Sequence, residues 1–157
     1  MVSPTALNKH GNKVYYKDWV FDSEKEYKFF KRFIEGKVES FKVHPKFMLK
    51  PLVKQDEFNS PAISYKPDVV TYDNQGNIEH VYDVKNGFTV YSIDPVVKLR
   101  FTLFASQYGI PVEAVVVRTH DFKVIGFGTT KTRKTSNPCE ALIVRNTNYD
   151  WRESLKE

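Results

Sequence analysis

Apolar residues recur along this chain at two spacings, and those spacings lay out its elements. Behind the capping residues Asp22 and Ser23, with Glu24 and Glu26 in the first turn, apolar side chains fall at Tyr27, Phe29, Phe30, Phe33 and Ile34. That is helical spacing, and Gly36 closes the helix. Val38 to Val43 and Phe47 to Val53 are strand-like runs broken by Pro45, and the polar stretch Lys54 to Pro61 reads as a loop. The clearest hairpin follows: Tyr65 to Tyr72, a turn at Asn74-Gln75-Gly76-Asn77, and a return strand from Ile78 to Lys85 that Asn86-Gly87 stops. Asp94 caps a second helix with Pro95 at its first position. Its buried stripe is Val97, Phe101, Phe104 and Tyr108, and Gly109 and Pro111 end it. Val112 to Arg118 is a nearly continuous apolar run, the mark of a strand covered on both faces. Ala141 to Val144 fits one edge strand, and Asp150 to Glu157 is a polar end.

Helix, strands, hairpin, helix, strand is the order of an α/β or α+β sandwich around a mixed sheet. The stretch from Gly128 to Pro138 breaks the pattern. Lys131, Arg133 and Lys134 stand there among Ser, Thr, Asn and Pro, which predicts a basic arm, mobile when free.

Composition adds bounds. A chain of 157 residues fits one domain, and 12 Phe with 9 Tyr can build a sizeable core. Its 24 Lys and Arg against 19 Asp and Glu give +5, which permits a polyanionic partner without requiring one. No apolar run approaches the length of a membrane span, and Met1 to Lys9 lack the apolar core of a signal peptide. The single cysteine, Cys139, excludes an internal disulfide and a multi-cysteine zinc site, and it reads as an inert buried thiol. The expected setting is a reducing cytoplasm. His10, His44, His80 and His120 form no ligand-spaced pair, so no histidine metal site is expected, and no Walker or G-x-G-x-x-G motif supports a nucleotide cofactor.

The hairpin carries the candidate chemistry. A turn centred on Gln75-Gly76 sets Asp68 opposite Asp83, Val70 opposite Val81 and Lys66 opposite Lys85, all on one face. Carboxylates facing one another across a ladder repel, and a divalent cation between them resolves the conflict. Glu26 shares its helix face with Phe29, Phe30 and Phe33, so it points partly inward, whereas Glu24 sits with Lys28 and Lys31. Glu26, Asp68, Asp83 and Lys85 therefore make one convergent cluster. His80 falls on the opposite hairpin face and is excluded from it.

Pro67-Asp68 followed by Asp83-Val84-Lys85 resembles the PD-(D/E)xK nuclease signature. Ser23-Glu24-Lys25-Glu26 is similar to the start of that superfamily's first core helix, and the element order is similar to its α-β-β-β-α-β core. More narrowly, FDSEKEYKFFKRF, FKVHPKFMLKP and YGIPVEAVVVR resemble small phage endonucleases of the Holliday-junction-resolvase type. The likeness spans about residues 22–118 and implies a restriction-endonuclease-like α/β fold, a single nuclease domain over 1–157 with a basic arm at about 128–138. It implies that Glu26, Asp68, Asp83 and the Val84 carbonyl hold Mg2+, with Mn2+ able to substitute, and that Lys85 orients the attacking water or stabilises the transition state.

A metal-dependent endonuclease for branched DNA, acting as a homodimer in the host cytoplasm if phage-encoded, is the function this implies. A transposase-type or restriction-type endonuclease of the same fold and a non-catalytic DNA-binding module are the alternatives. Phe88 and Tyr91 lie in the loop after Lys85, where they can stack on unpaired bases or pack in a dimer. Lys98 and Arg100 on the second helix, with Lys131, Arg133 and Lys134, are candidate phosphate contacts.

Overall fold

The computed structural model of the protein describes residues 12–134 and 140–156; His10, Cys139 and the predictions for Met1 to Lys9 and for residues 135–138 lie outside them. It is α/β, with a mixed six-stranded sheet and few helices. A hairpin of β1 (Val14–Tyr16) and β2 (Trp19–Phe21) leads into α1 (Glu24–Phe29), which runs on as a π-helical turn over Phe30–Ile34. β3 (Phe41–Val43) joins the central sheet, whose other strands are β8 (Val69–Tyr72), β9 (Ile78–Val84), β10 (Val112–Val117), β11 (Phe122–Phe127) and β12 (Leu142–Val144). Between β3 and β8 the chain makes two small ribbons: β4 (Phe47–Lys50) pairs with β7 (Ile63–Tyr65), and β5 (Val53–Lys54) with β6 (Asn59–Ser60). The helix α2 (Pro95–Tyr108) crosses from β9 to β10, and a short 3-10 turn spans Trp151–Leu155.

The sheet order is β12-β11-β10-β9-β8-β3, with β9 and β10 parallel and the other neighbours antiparallel. One parallel pair joined by a helical crossover puts α2 on one face. There Phe101 and Phe104 pack with Val70, Val81, Ala114 and Ile125. The opposite face takes α1 and the β1–β2 hairpin: Phe21, Phe29, Phe30 and Phe33 meet Val69, Tyr82, Val115 and Val124. Coverage on both faces explains the apolar run in β10, as expected. The π turn brings Phe29, Phe30, Phe33 and Ile34 all into the core, more than a regular helical stripe would bury. Gly36 at φ 76 then reverses the chain, a conformation that suits glycine.

The sequence and the structure part at four places. The predicted strand Tyr65 to Tyr72 is two strands in different sheets, because Pro67 has no N–H to donate to a ladder. Lys66 is consequently exposed and does not pair with Lys85. The predicted loop from Lys54 to Pro61 holds the β5–β6 pair, and the predicted strand Phe47 to Val53 is divided between β4 and β5. β11 and the β1–β2 hairpin are additional to the expected elements. No helix among the described residues is long and apolar enough to cross a membrane.

The turn at residues 128–134 is anchored rather than free. Thr132 Oγ1 donates to the Thr129 carbonyl at 2.9 Å. Arg133 donates through Nη1 to the Glu140 carbonyl at 2.6 Å, and through Nε and Nη2 to the Glu153 carbonyl at 3.2 and 3.0 Å. The expected mobile arm is, over these residues, tied to the body by its own central arginine.

Candidate active site

The register of β8 against β9 pairs Val69 with Tyr82, Val70 with Val81 and Thr71 with His80. Continued one step, it sets Asp68 beside Asp83, and the Asp68 amide donates to the Tyr82 carbonyl at 3.0 Å. Both carboxylates are buried, as is Glu26. Ser23 caps α1 by accepting from the Glu26 amide at 3.2 Å, and this first turn holds Glu26 near the end of the hairpin. The Glu26 carboxylate also accepts from the Asp22 amide at 3.2 Å.

Each carboxylate is fixed by a specific donor. Asp68 Oδ2 accepts the Val84 N–H at 2.7 Å. Lys85 Nζ lies 2.8 Å from Asp83 Oδ1, and the buried Tyr65 hydroxyl donates to Asp83 Oδ2. That last bond depends on the break at Pro67, which turns Tyr65 away from the β8 line and into the small sheet. Glu26, Asp68, Asp83 and Lys85 thus converge as expected, with Val84 held between the two aspartates.

One residue in the cluster was not expected. His44 Nε2 lies 3.2 Å from Glu26 Oε2, 3.7 Å from Asp68 Oδ1 and 3.9 Å from Asp22 Oδ2. His44 has φ 51, an uncommon value for a non-glycine residue, and its amide donates to the Asp68 carbonyl at 3.1 Å. Backbone in this region tends to be kept where a site requires it. One ligand atom each from Asp22, Glu26 and His44 lies within 4.8 Å of the others, a grouping the histidine spacing did not suggest. Spacing to another histidine could not have found it. The partners are carboxylates, delivered by the pairing of β3 with β8.

The electrostatics follow from this crowding. Burial, and then the Asp83 charge, push the Asp68 carboxyl up to about 8, despite the opposing influence of the neighbouring His44 and of the Val84 N–H. The carboxylates of Asp68 and Glu26 raise His44 to about 10 against its partial burial. Burial works against the Lys85 charge, yet Asp83, Asp68 and Glu26 more than offset it, so its pKa lies above the ordinary lysine value. Lys85 therefore holds its proton, as expected.

Among the described residues, the carboxylate and imidazole atoms that come within 4.8 Å of one another, a set that could hold a metal ion, are those of Asp22, Glu26 and His44, with Asp68 and Asp83 alongside. Removing the Tyr65 hydroxyl leaves Asp83 held through Lys85 alone. Tyr65→Phe is expected to lower metal affinity about 10-fold to 100-fold, the usual effect of losing a residue that orients a ligand, while the melting temperature changes little. A calorimetric titration with Mn2+ measures it.

The remaining predicted site residues scatter. Arg100, Lys66 and Val97 line a groove of about 370 Å³ together with Asp83 and Lys85, which puts two further cations at its rim. Tyr91 is 90% exposed in the loop after β9, whereas Phe88 is partly buried and packs against the core on the α2 face. Lys98 and Lys134 line a separate cavity. Lys131 is exposed, and Arg133 is committed to the carbonyls of Glu140 and Glu153. His80 is buried on the α1 face, where its Nδ1 and Glu113 Oε2 lie 2.6 Å apart, away from the acidic cluster as expected.

Fold and site together define a mixed-sheet α/β protein with a buried acidic pocket at the open end of its central hairpin. The chain belongs to the family described as Protein of unknown function (DUF1064), which matches residues 8–123. That span holds Glu26, His44, Asp68, Asp83 and Lys85 and stops at the second residue of β11. None of the curated proteins and none of the solved structures matches the chain.

Proposed function

We propose that this protein is a metal-dependent DNA endonuclease on a restriction-endonuclease-like core. One observation carries the proposal: Glu26, Asp68 and Asp83, from separate elements, are buried together beside Lys85. Burying like charges side by side costs stability, so the arrangement makes sense where a cation and a charged substrate meet. The succession α1, β3, β8, β9, α2, β10, with β9 and β10 parallel, supports the fold part of this reading.

The donor set suits Mg2+, with Mn2+ able to substitute, held by Glu26, Asp68, Asp83 and the Val84 carbonyl. A divalent ion there supplies a water that ionises near neutral pH and charge to oppose the phosphate. The protein's own groups do the rest. Lys85, kept protonated by its carboxylate neighbours, offers a positive charge to the oxygens that gain charge as the phosphodiester breaks. Tyr65 holds Asp83 in one orientation. Lys66 and Arg100 at the groove rim draw a backbone phosphate toward the pocket.

Branched DNA is the preferred substrate in this reading. Tyr91, almost wholly exposed in the loop after β9, would offer its ring to a base that a branch leaves unpaired. A four-way junction is two-fold symmetric and requires two cuts, which a homodimer with two sites provides. The test compares cutting of a labelled four-way junction and a linear duplex of the same sequence in Mg2+. Faster cutting of the junction is expected, and equal rates would remove the branched-DNA reading while leaving the endonuclease.

A further inference from the structure

Between α2 and the turn that follows β11 lies a cavity of about 640 Å³. Lys98 and Thr102 wall it from the helix, and Thr129, Thr130, Thr132 and Lys134 from the turn that follows β11. Among the described residues, no carboxylate lines it. Its shape is set in advance, because Gly128 lies so close to α2 that a Cβ there would fall 2.4 Å from the Phe101 carbonyl oxygen, and its φ of 95 is one that glycine adopts readily. Arg133 fastens the far side through the carbonyls of Glu140 and Glu153. Those acceptors carry no formal charge, so the guanidinium adds its positive charge to that of Lys98 and Lys134.

The same helix walls both spaces. Val97 and Arg100 line the groove that holds Asp83 and Lys85, and Lys98 and Thr102 line this cavity. The two spaces therefore open on different sides of the one helix. We propose that the cavity binds a backbone phosphate of the DNA strand that passes the acidic groove, at a position away from the cut. Lysine ammonium groups and threonine hydroxyls are donors suited to a phosphodiester, and such interactions fix register without reading sequence. The inference rests on the endonuclease reading and adds to it a second point of attachment. It also gives a role to a segment beyond the residues the family matches.

The test is the salt dependence of DNA binding, read by fluorescence anisotropy of a labelled duplex in Mg2+. The Asp68→Asn background is used so that no strand is cut. Removing one cation that neutralises a phosphate lowers the slope of log K against log salt by about 0.9. Lys98→Gln with Lys134→Gln is expected to lower it by about 2. Lys37→Gln with Arg152→Gln removes the same charge elsewhere on the surface and is expected to leave the slope unchanged. An unchanged slope in the Lys98/Lys134 pair, or an equal fall in both pairs, would overturn the cavity as a phosphate site with the endonuclease reading intact. Absence of any DNA binding by the Asp68→Asn parent and by the wild-type protein would overturn both.

Discussion

Asp68→Asn will abolish DNA cutting and at the same time raise the melting temperature of the metal-free protein. The first effect follows from its place at the centre of the cluster. Losing one preorganised group that stabilises transition-state charge costs about 10²–10³ in rate, and a ligand common to the whole site should lie at the upper end or beyond. The second follows from the carboxyl's environment. Burial and the Asp83 charge hold it at about 8, far above its ordinary 3.8, so the native state carries its ionisation as an unfavourable load. A group whose pKa is raised on folding contributes stability at low pH that is lost as pH rises through the folded value. Stability of the metal-free wild type should therefore decline between about pH 4 and pH 8. Asparagine keeps an acceptor for the Val84 N–H and removes the charge, which flattens that decline. A gain of about 1–2 kcal/mol corresponds to roughly 3–6 °C in a chain of this size. Thermal melts in chelator across pH, beside gel assays in Mg2+, measure both. Wild-type cutting by the variant would show that Asp68 is not a ligand, and a lower melting temperature at about pH 8 would contradict the electrostatic account.

Phe29→Ala carries the largest expected loss of stability. Its ring is fully buried and meets Phe33, Tyr82 and Phe122 at centroid separations of 5.6, 5.1 and 5.2 Å. It joins α1 to the middle of the sheet. Truncating a buried phenylalanine costs about 3–5 kcal/mol, here a fall of roughly 10 °C. Because α1 also carries Glu26, cutting should weaken with it. Urea unfolding gives the stability change, and a loss below about 1 kcal/mol would mean that α1 does not depend on this cluster.

Local patterns read well from the chain where one physical rule dominated. Alternation through Val70 and Val81 and the Asn-Gln-Gly-Asn turn fixed the hairpin register, so Asp68 and Asp83 could be placed side by side. The apolar face around Glu26 placed the third carboxylate. Where a residue's partners come from distant backbone, the chain is silent. Arg133 looks like a free cation until the carbonyls of Glu140 and Glu153 are brought beneath it. His44 is isolated in sequence, and only the pairing of β3 with β8 carries it to Glu26 and Asp68. Pro67 stands inside the single strand expected from Tyr65 to Tyr72, and its consequence, a divided run with the Tyr65 hydroxyl on Asp83, required the small second sheet. In the β1–β2 hairpin Lys17 takes a positive φ at a turn without glycine, so the usual turn signal is missing.

The central claim, that the acidic pocket cuts DNA with a bound divalent ion, is tested most directly by incubating the wild-type protein with an end-labelled four-way junction in Mg2+ and in chelator. Strand scission in Mg2+, absent in chelator, is the predicted result on a denaturing gel. DNA left intact under both conditions, with Mn2+ in place of Mg2+ giving no cutting either, would contradict it.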